Sequence, residues 1–180
     1  MKTKIRILML AIMSVFLAKI QCTRVDFDVL SIPLTPFTGN QLRIDGYYYQ
    51  IGYDGKTIVG AYFFYRNGML VFSSGSGSSL EEMDEYIRRH FMDSNRRQHR
   101  WQYGVFLVEG DNIKFERWQP GVRAGGVLQA VVRTGTILND TTFHITKSFR
   151  SDGTQVTERD EMFHFRAFYP KPDSTNVFVR

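Results

Sequence analysis

With 180 residues, 43% of them hydrophobic, and one cysteine, the chain is long enough to bury a sizeable single core. It cannot form an intramolecular disulfide or a thiolate metal cluster. The formal charge of +5 is concentrated at the N-terminus: taking Lys2, Lys4, Arg6 and Lys19 from the 23 basic residues leaves 19 against 18 acidic ones, and a body so near neutrality excludes nucleic-acid binding driven by bulk basicity.

The first predicted element is residues 1–21, where Lys2, Lys4 and Arg6 precede an uncharged run from Ile7 to Ala18. Basic flank and short apolar run together read as a secretory signal peptide; the run is too short for a membrane span, which needs about 20 residues. Cys22 follows directly and resembles the lipid-attachment cysteine of bacterial lipoproteins, although Lys19-Ile20-Gln21 departs from the aliphatic and small residues of that pattern. The expected product is one domain, 22–180, exported to the cell envelope and held on a membrane by a lipid at Cys22. The alternative is a secreted protein with a free thiol.

From residue 41 onward, turn dipeptides punctuate runs rich in Val, Ile, Phe, Tyr and Thr: Asp54-Gly55, Asn67-Gly68, Gly110-Asp111, Asn139-Asp140 and Asp152-Gly153. This is the pattern of antiparallel hairpins. It predicts strands at 41–52, 57–66, 69–75, 101–109, 112–118, 126–138, 141–150 and 155–168, with a ninth at 175–179. About eight or nine strands in sequential order give an all-β fold, an up-and-down antiparallel barrel, with a β-sandwich as the alternative. One segment breaks the pattern. Ser79 and Glu82 form a capping box, acids crowd the start, and Leu80, Met83, Ile87 and Phe91 recur at helical spacing, so a surface helix with one apolar stripe is predicted there.

Two-residue turns at Asp54-Gly55 and Asn67-Gly68 place Tyr49 opposite Gly60 and Tyr62 opposite Ser73. One face then carries Arg43, Asp45, Tyr47, Tyr49, Tyr62 and Phe64, and the other Leu42, Ile44, Tyr48, Gln50, Phe63, Tyr65 and Phe72. Only the first holds charges, so the second is predicted to face inward. A bulge in either hairpin would swap the faces beyond it. By the same reasoning Phe106, Val108, Ile113 and Phe115 share an apolar face. Leu128, Ala130, Val132, Phe143, Ile145 and Phe149 share another, opposite Arg133, His144 and Arg150.

The loop at 75–79 lacks the lysine of a phosphate loop, and Glu81 and Glu82 would repel an anion. His90, His99, His144 and His164 stand at no metal-ligand spacing. Glu109, Asp111 and Glu116 are not arranged as an acid and base pair, so no catalytic residue, metal or cofactor is assigned.

The hairpins GYYYQIGYDGKTIVGAYFFYRNGMLVF, GVFLVEGDNIKFERW and GTILNDTTFHI resemble the lipocalin-like, calycin-type barrels of bacterial envelope lipoproteins, over residues 40–168. Gly46-Tyr47-Tyr48 is the nearest approach to the lipocalin Gly-x-Trp. The resemblance implies a non-catalytic lipoprotein that binds a small hydrophobic ligand in the barrel. Leu42, Ile44, Tyr48, Gln50, Phe63, Tyr65, Phe72 and Phe106 are the expected cavity residues. The alternative is an interaction or structural module with a barrel filled by its own side chains, working through Tyr47, Tyr49, Tyr62, Arg88, Arg89, Arg96, Arg97 and Arg100. An enzyme ranks third. The expected partners are a membrane, through the anchor, and a small apolar ligand, with no nucleic acid.

Overall fold

The computed structural model describes residues 29–75, 77–93, 99–121 and 127–179. Eight strands follow in chain order: β1 (Gly46–Ile51), β2 (Ile58–Phe64), β3 (Met69–Ser74), β4 (Tyr103–Glu109), β5 (Asn112–Pro120), β6 (Leu128–Asn139), β7 (Thr142–Arg150) and β8 (Thr157–Ala167). Each pairs antiparallel with its neighbour in sequence, and β1 also pairs with β8 through Tyr48 opposite Phe165. The sheet therefore closes into an up-and-down barrel. That closure decides against the sandwich, and closure alone leaves no sheet edge exposed. The ninth expected strand, 175–179, is irregular in the described chain.

The predicted helix begins where its cap directs. Ser79 Oγ accepts from the Glu82 amide at 3.2 Å, and Glu82 reaches back one residue further than a capping box, to the Ser78 amide at 2.8 Å. The α-helix α1 (Leu80–Tyr86) runs into a π-helical turn at Ile87–Phe91. Its stripe of Met83, Ile87 and Phe91 lies on Tyr47, Phe63, Val71 and Phe168 on the outside of the barrel.

Two hairpins carry an extra residue that the sequence reading omits. Gln50 pairs with Gly60 but Ile51 with Ile58, so Val59 is a bulge. The β2–β3 connection is a three-residue loop, with Tyr65 bonded to Met69 and Gly68 at φ 84°, the left-handed conformation that glycine tolerates best. Both errors invert β2 alone. Tyr62 and Phe64 point into the barrel, and Phe63 and Tyr65 lie outside, near α1 and the C-terminal segment. Similar irregularities at Leu138 and Thr146 invert β6 and the end of β7: Val132 and Phe149 face outward, where they pack with Ile32, and Arg133 faces inward.

The two ends of the barrel differ. Residues 37–45 cross one end and close it. Phe37 and Leu42 join the interior core, and Tyr48 Oη donates to the Asp140 carbonyl at 2.6 Å while accepting from the Arg43 amide at 3.1 Å. The strap before them, 29–37, runs along the outer wall from the opposite end. Glu116 holds it there by accepting from the Ser31 and Ile32 amides at 2.7 and 2.8 Å. After β8 the chain returns along another side, and Phe178 reaches Tyr103 near the start of β4.

Candidate functional site

The cavity residues do not line a common space. Leu42, Tyr48, Phe72 and Phe106 belong to the buried interior, with Ile44 packed against it. Phe63 and Tyr65 were expected there, but the bulge at Val59 places them outside. Gln50 sits at the rim of the end opposite Phe37, beside a cleft of about 250 Å³ that it shares with Ile51, Tyr53 and Glu161.

Inside, rings fill the barrel in contact with one another. Tyr48 meets Phe64, Phe143 and Phe165 with centroids 5.0–5.6 Å apart. Phe143 stacks on Phe163 at 4.7 Å, and Phe64 meets Phe106 at 4.8 Å. Tyr62 continues the chain of contacts to Phe72 at 4.8 Å and Phe115 at 5.5 Å. Edge-to-face pairs of this kind each add about 0.5–1.5 kcal/mol beyond the area they bury. A cleft of about 220 Å³ lies at the closed end under residues 35–41, beside Phe37 and Phe106, and one of about 190 Å³ lies on the outer wall beneath the strap, beside Val105.

The expected outer surface also divides. Tyr47 is fully buried under α1 and donates to Asp84 Oδ1 at 2.8 Å; Arg166 joins the same carboxylate at 2.7 Å. Burial, then the Asp84 carboxylate, pushes the Tyr47 phenol well above the usual tyrosine range. Tyr49 is half-buried beside His164. Tyr62 is not exterior at all, again because β2 is inverted. Arg88 donates to the Tyr169 carbonyl and covers the Phe168 ring, Arg89 pairs with Glu85, and Arg100 lies over Trp118. Arg96, Arg97, Cys22 and the 1–21 segment lie outside the described residues.

At the end opposite Phe37, the inward positions become polar. Arg117 on β5, Arg133 on β6 and Glu161 on β8 act on the hydroxyl of Tyr62; Arg159 on β8 adjoins them through Glu161, and Ser148 on β7 through Arg159. Arg133 Nη1 donates to Tyr62 Oη at 2.8 Å and stands 3.8 Å from Glu161; Arg159 lies 3.6 Å from the same carboxylate and donates to Ser148 Oγ at 2.9 Å. The Arg117 guanidinium lies over the Phe72 ring at 3.8 Å, donates to the Trp118 carbonyl at 3.2 Å, and acts on the Tyr62 hydroxyl as well. Burial opposes ionisation of Tyr62, but the Arg133 and Arg117 charges outweigh it and hold the phenol below the ordinary tyrosine range. Burial also pulls the Arg117 guanidinium below its usual value.

None of these five polar residues was singled out as functional from sequence. Arg133 and Arg117 sit among polar and apolar residues as surface charges do. The available signal was indirect: with Val132 and Phe149 covered by the strap, the opposite faces of those strands must enter the barrel.

Elsewhere, His144 bonds Asp160 at 2.8 Å on the outer wall, and among the described residues no group of three or more His, Cys, Asp or Glu side chains is placed to hold a metal. Comparison with family models, with curated proteins and with solved structures finds no match to this chain.

Proposed function

We propose that this chain is a non-catalytic envelope lipoprotein on a lipocalin-like, calycin-type barrel, anchored through Cys22, and that it works as a binding or interaction module rather than as a carrier of an apolar molecule. The continuous ring contact from Tyr48 through Phe64, Phe143 and Phe163 to Tyr62 and Phe72 carries this reading. An apolar ligand pocket needs about 300 Å³ or more of open space, and these side chains occupy the barrel's axis themselves. A small eight-stranded barrel is just wide enough to be filled in this way.

A binding role also follows from the chemistry of the polar end. Guanidinium groups keep their protons at all working pH values, so a cluster dominated by Arg117, Arg133 and Arg159 attracts charge and does not shuttle protons. The anchor rests on the sequence of residues 1–22.

Native mass spectrometry of the full-length protein, extracted from its own envelope, tests both parts. The expected result is a lipid mass on Cys22 and no apolar molecule retained in stoichiometric amount. A one-to-one apolar adduct would overturn the filled-barrel reading, and an unmodified chain in the soluble fraction would overturn the anchor.

A further inference from the structure

We infer that the polar end of the barrel binds an oxyanion, the carboxylate or phosphate group of a small solute, on Arg117 and Arg133 beside the Tyr62 hydroxyl.

The first argument is a charge count in a buried place. Arg117 and Arg133 are withdrawn from water, with Arg117 only 7% exposed and the Arg133 side chain 12%. Arg159 stands beside them, and among the described residues the single inward carboxylate at this end is Glu161. Glu161 lies within ion-pair distance of Arg133 and Arg159; among the described residues Arg117 has no carboxylate partner. Burying a guanidinium without a counter-charge is costly, so an excess of buried cations implies an anion supplied from outside.

The second argument is geometric. The Nε atoms of Arg117 and Arg133 are both buried and have no hydrogen-bond partner, nor does the acceptor Glu161 Oε2, although buried polar groups are ordinarily satisfied; the unanswered donors outnumber the unanswered acceptor. Arg117 lies over the Phe72 ring, its Nη1 donates to the Trp101 and Trp118 carbonyls, and its Nε–H is left unanswered. Planar guanidinium donors match the oxygens of carboxylates and phosphates better than any other side chain does. The Tyr62 hydroxyl is already an acceptor for Arg133 and marks the point where negative charge is best stabilised.

Glu161 sets the direction of the decisive experiment, because its carboxylate competes with a bound anion for the same guanidiniums. Thermal unfolding of the full chain in detergent is followed with inorganic phosphate or acetate titrated against chloride at constant ionic strength. The expected result is a midpoint that rises and saturates with phosphate or acetate and not with chloride, the stronger response identifying a phosphate or a carboxylate ligand. R117Q should abolish the response, and E161Q should tighten apparent affinity several-fold. Indifference of the wild type to the anion, an undiminished response in R117Q, or weaker binding in E161Q would overturn the inference. If R117Q does not fold, the wild type and E161Q still decide it. None of these outcomes depends on the anchor or on the absence of an apolar ligand.

Discussion

The Tyr62 hydroxyl and the Arg133 guanidinium meet inside the barrel, with Nη1 donating to the phenol oxygen at 2.8 Å. Because Arg133 and Arg117 hold the phenol below its ordinary range, the folded state favours the phenolate, and its stability gains as pH rises toward the unfolded tyrosine value of about 10. Ultraviolet titration of the folded protein should therefore reveal phenolate absorbance below that pH, and Tyr62→Phe should remove it. The same substitution leaves buried donors without their acceptor and should cost about 1–3 kcal/mol in urea unfolding. A titration identical in wild type and variant would count against the pairing.

Lys171 gives a second pH dependence, at the closed end. Its Nζ donates to the Ile44 and Phe64 carbonyls at 2.6 and 2.7 Å, and burial pulls it down to about 8 from 10.5. The unfolded chain then binds the extra proton between those values, so stability rises with pH across that window, by about 1–3 kcal/mol at 1.36 kcal/mol per pH unit. Tyr47 and Tyr48 act oppositely: burial raises both phenols, and their contribution is lost as pH climbs past about 10, where unfolded tyrosine ionises. The melting temperature is expected to rise above pH 8 and fall beyond 10, and Lys171→Met should flatten the rise. A variant whose profile matches the wild type would exclude Lys171 as its cause.

Phe143 tests whether the interior is filled. It is fully buried and stacks on Phe163 at 4.7 Å. Phe143→Ala should cost about 3–5 kcal/mol, the range for removing a large ring from a packed core, measured as the shift in denaturant midpoint at unchanged slope. A loss below about 1 kcal/mol would mean that the ring borders existing space.

Glu116 is fully buried on the outer wall and holds the strap by two backbone amides and the Ser31 hydroxyl, while also accepting from Ser151 after β7. Glu116→Ala should lower stability by about 1.5–3 kcal/mol, the range for hydrogen bonds to a charged group. It should also make 29–37 the first segment cut in limited proteolysis. Cleavage that starts elsewhere would show that apolar packing of Ile32 is enough to hold the strap.

The strand order, the helix and the faces of β4 and β5 were legible because local rules suffice for them. Turn dipeptides mark the hairpins, and the two-residue turn at Gly110-Asp111 pairs Glu109 with Asn112 as expected. The orientation of β2 and β6 was not legible, because a single extra residue reverses every side chain beyond it and nothing about Val59 or Leu138 announces a bulge. Gly60 carried a partial signal. A Cβ there would come within 2.5 Å of the Phe72 ring, so the glycine marks where that ring crosses the strand. The polar cluster was hidden by a reasonable premise, that charges on an alternating strand face water. It fails at Arg117 and Arg133 because the strap covers the other side of their strands.

Barrel closure has a kinetic consequence. Seven of the eight strand pairings join neighbours in sequence, and the eighth brings Gly46 to Ala167. Hairpins can form as the chain emerges, but the ring cannot shut until β8 exists. Until then β1 and β7 are bare edges that can template pairing with another chain. The protein is therefore most exposed to aggregation in the interval before its last strand arrives.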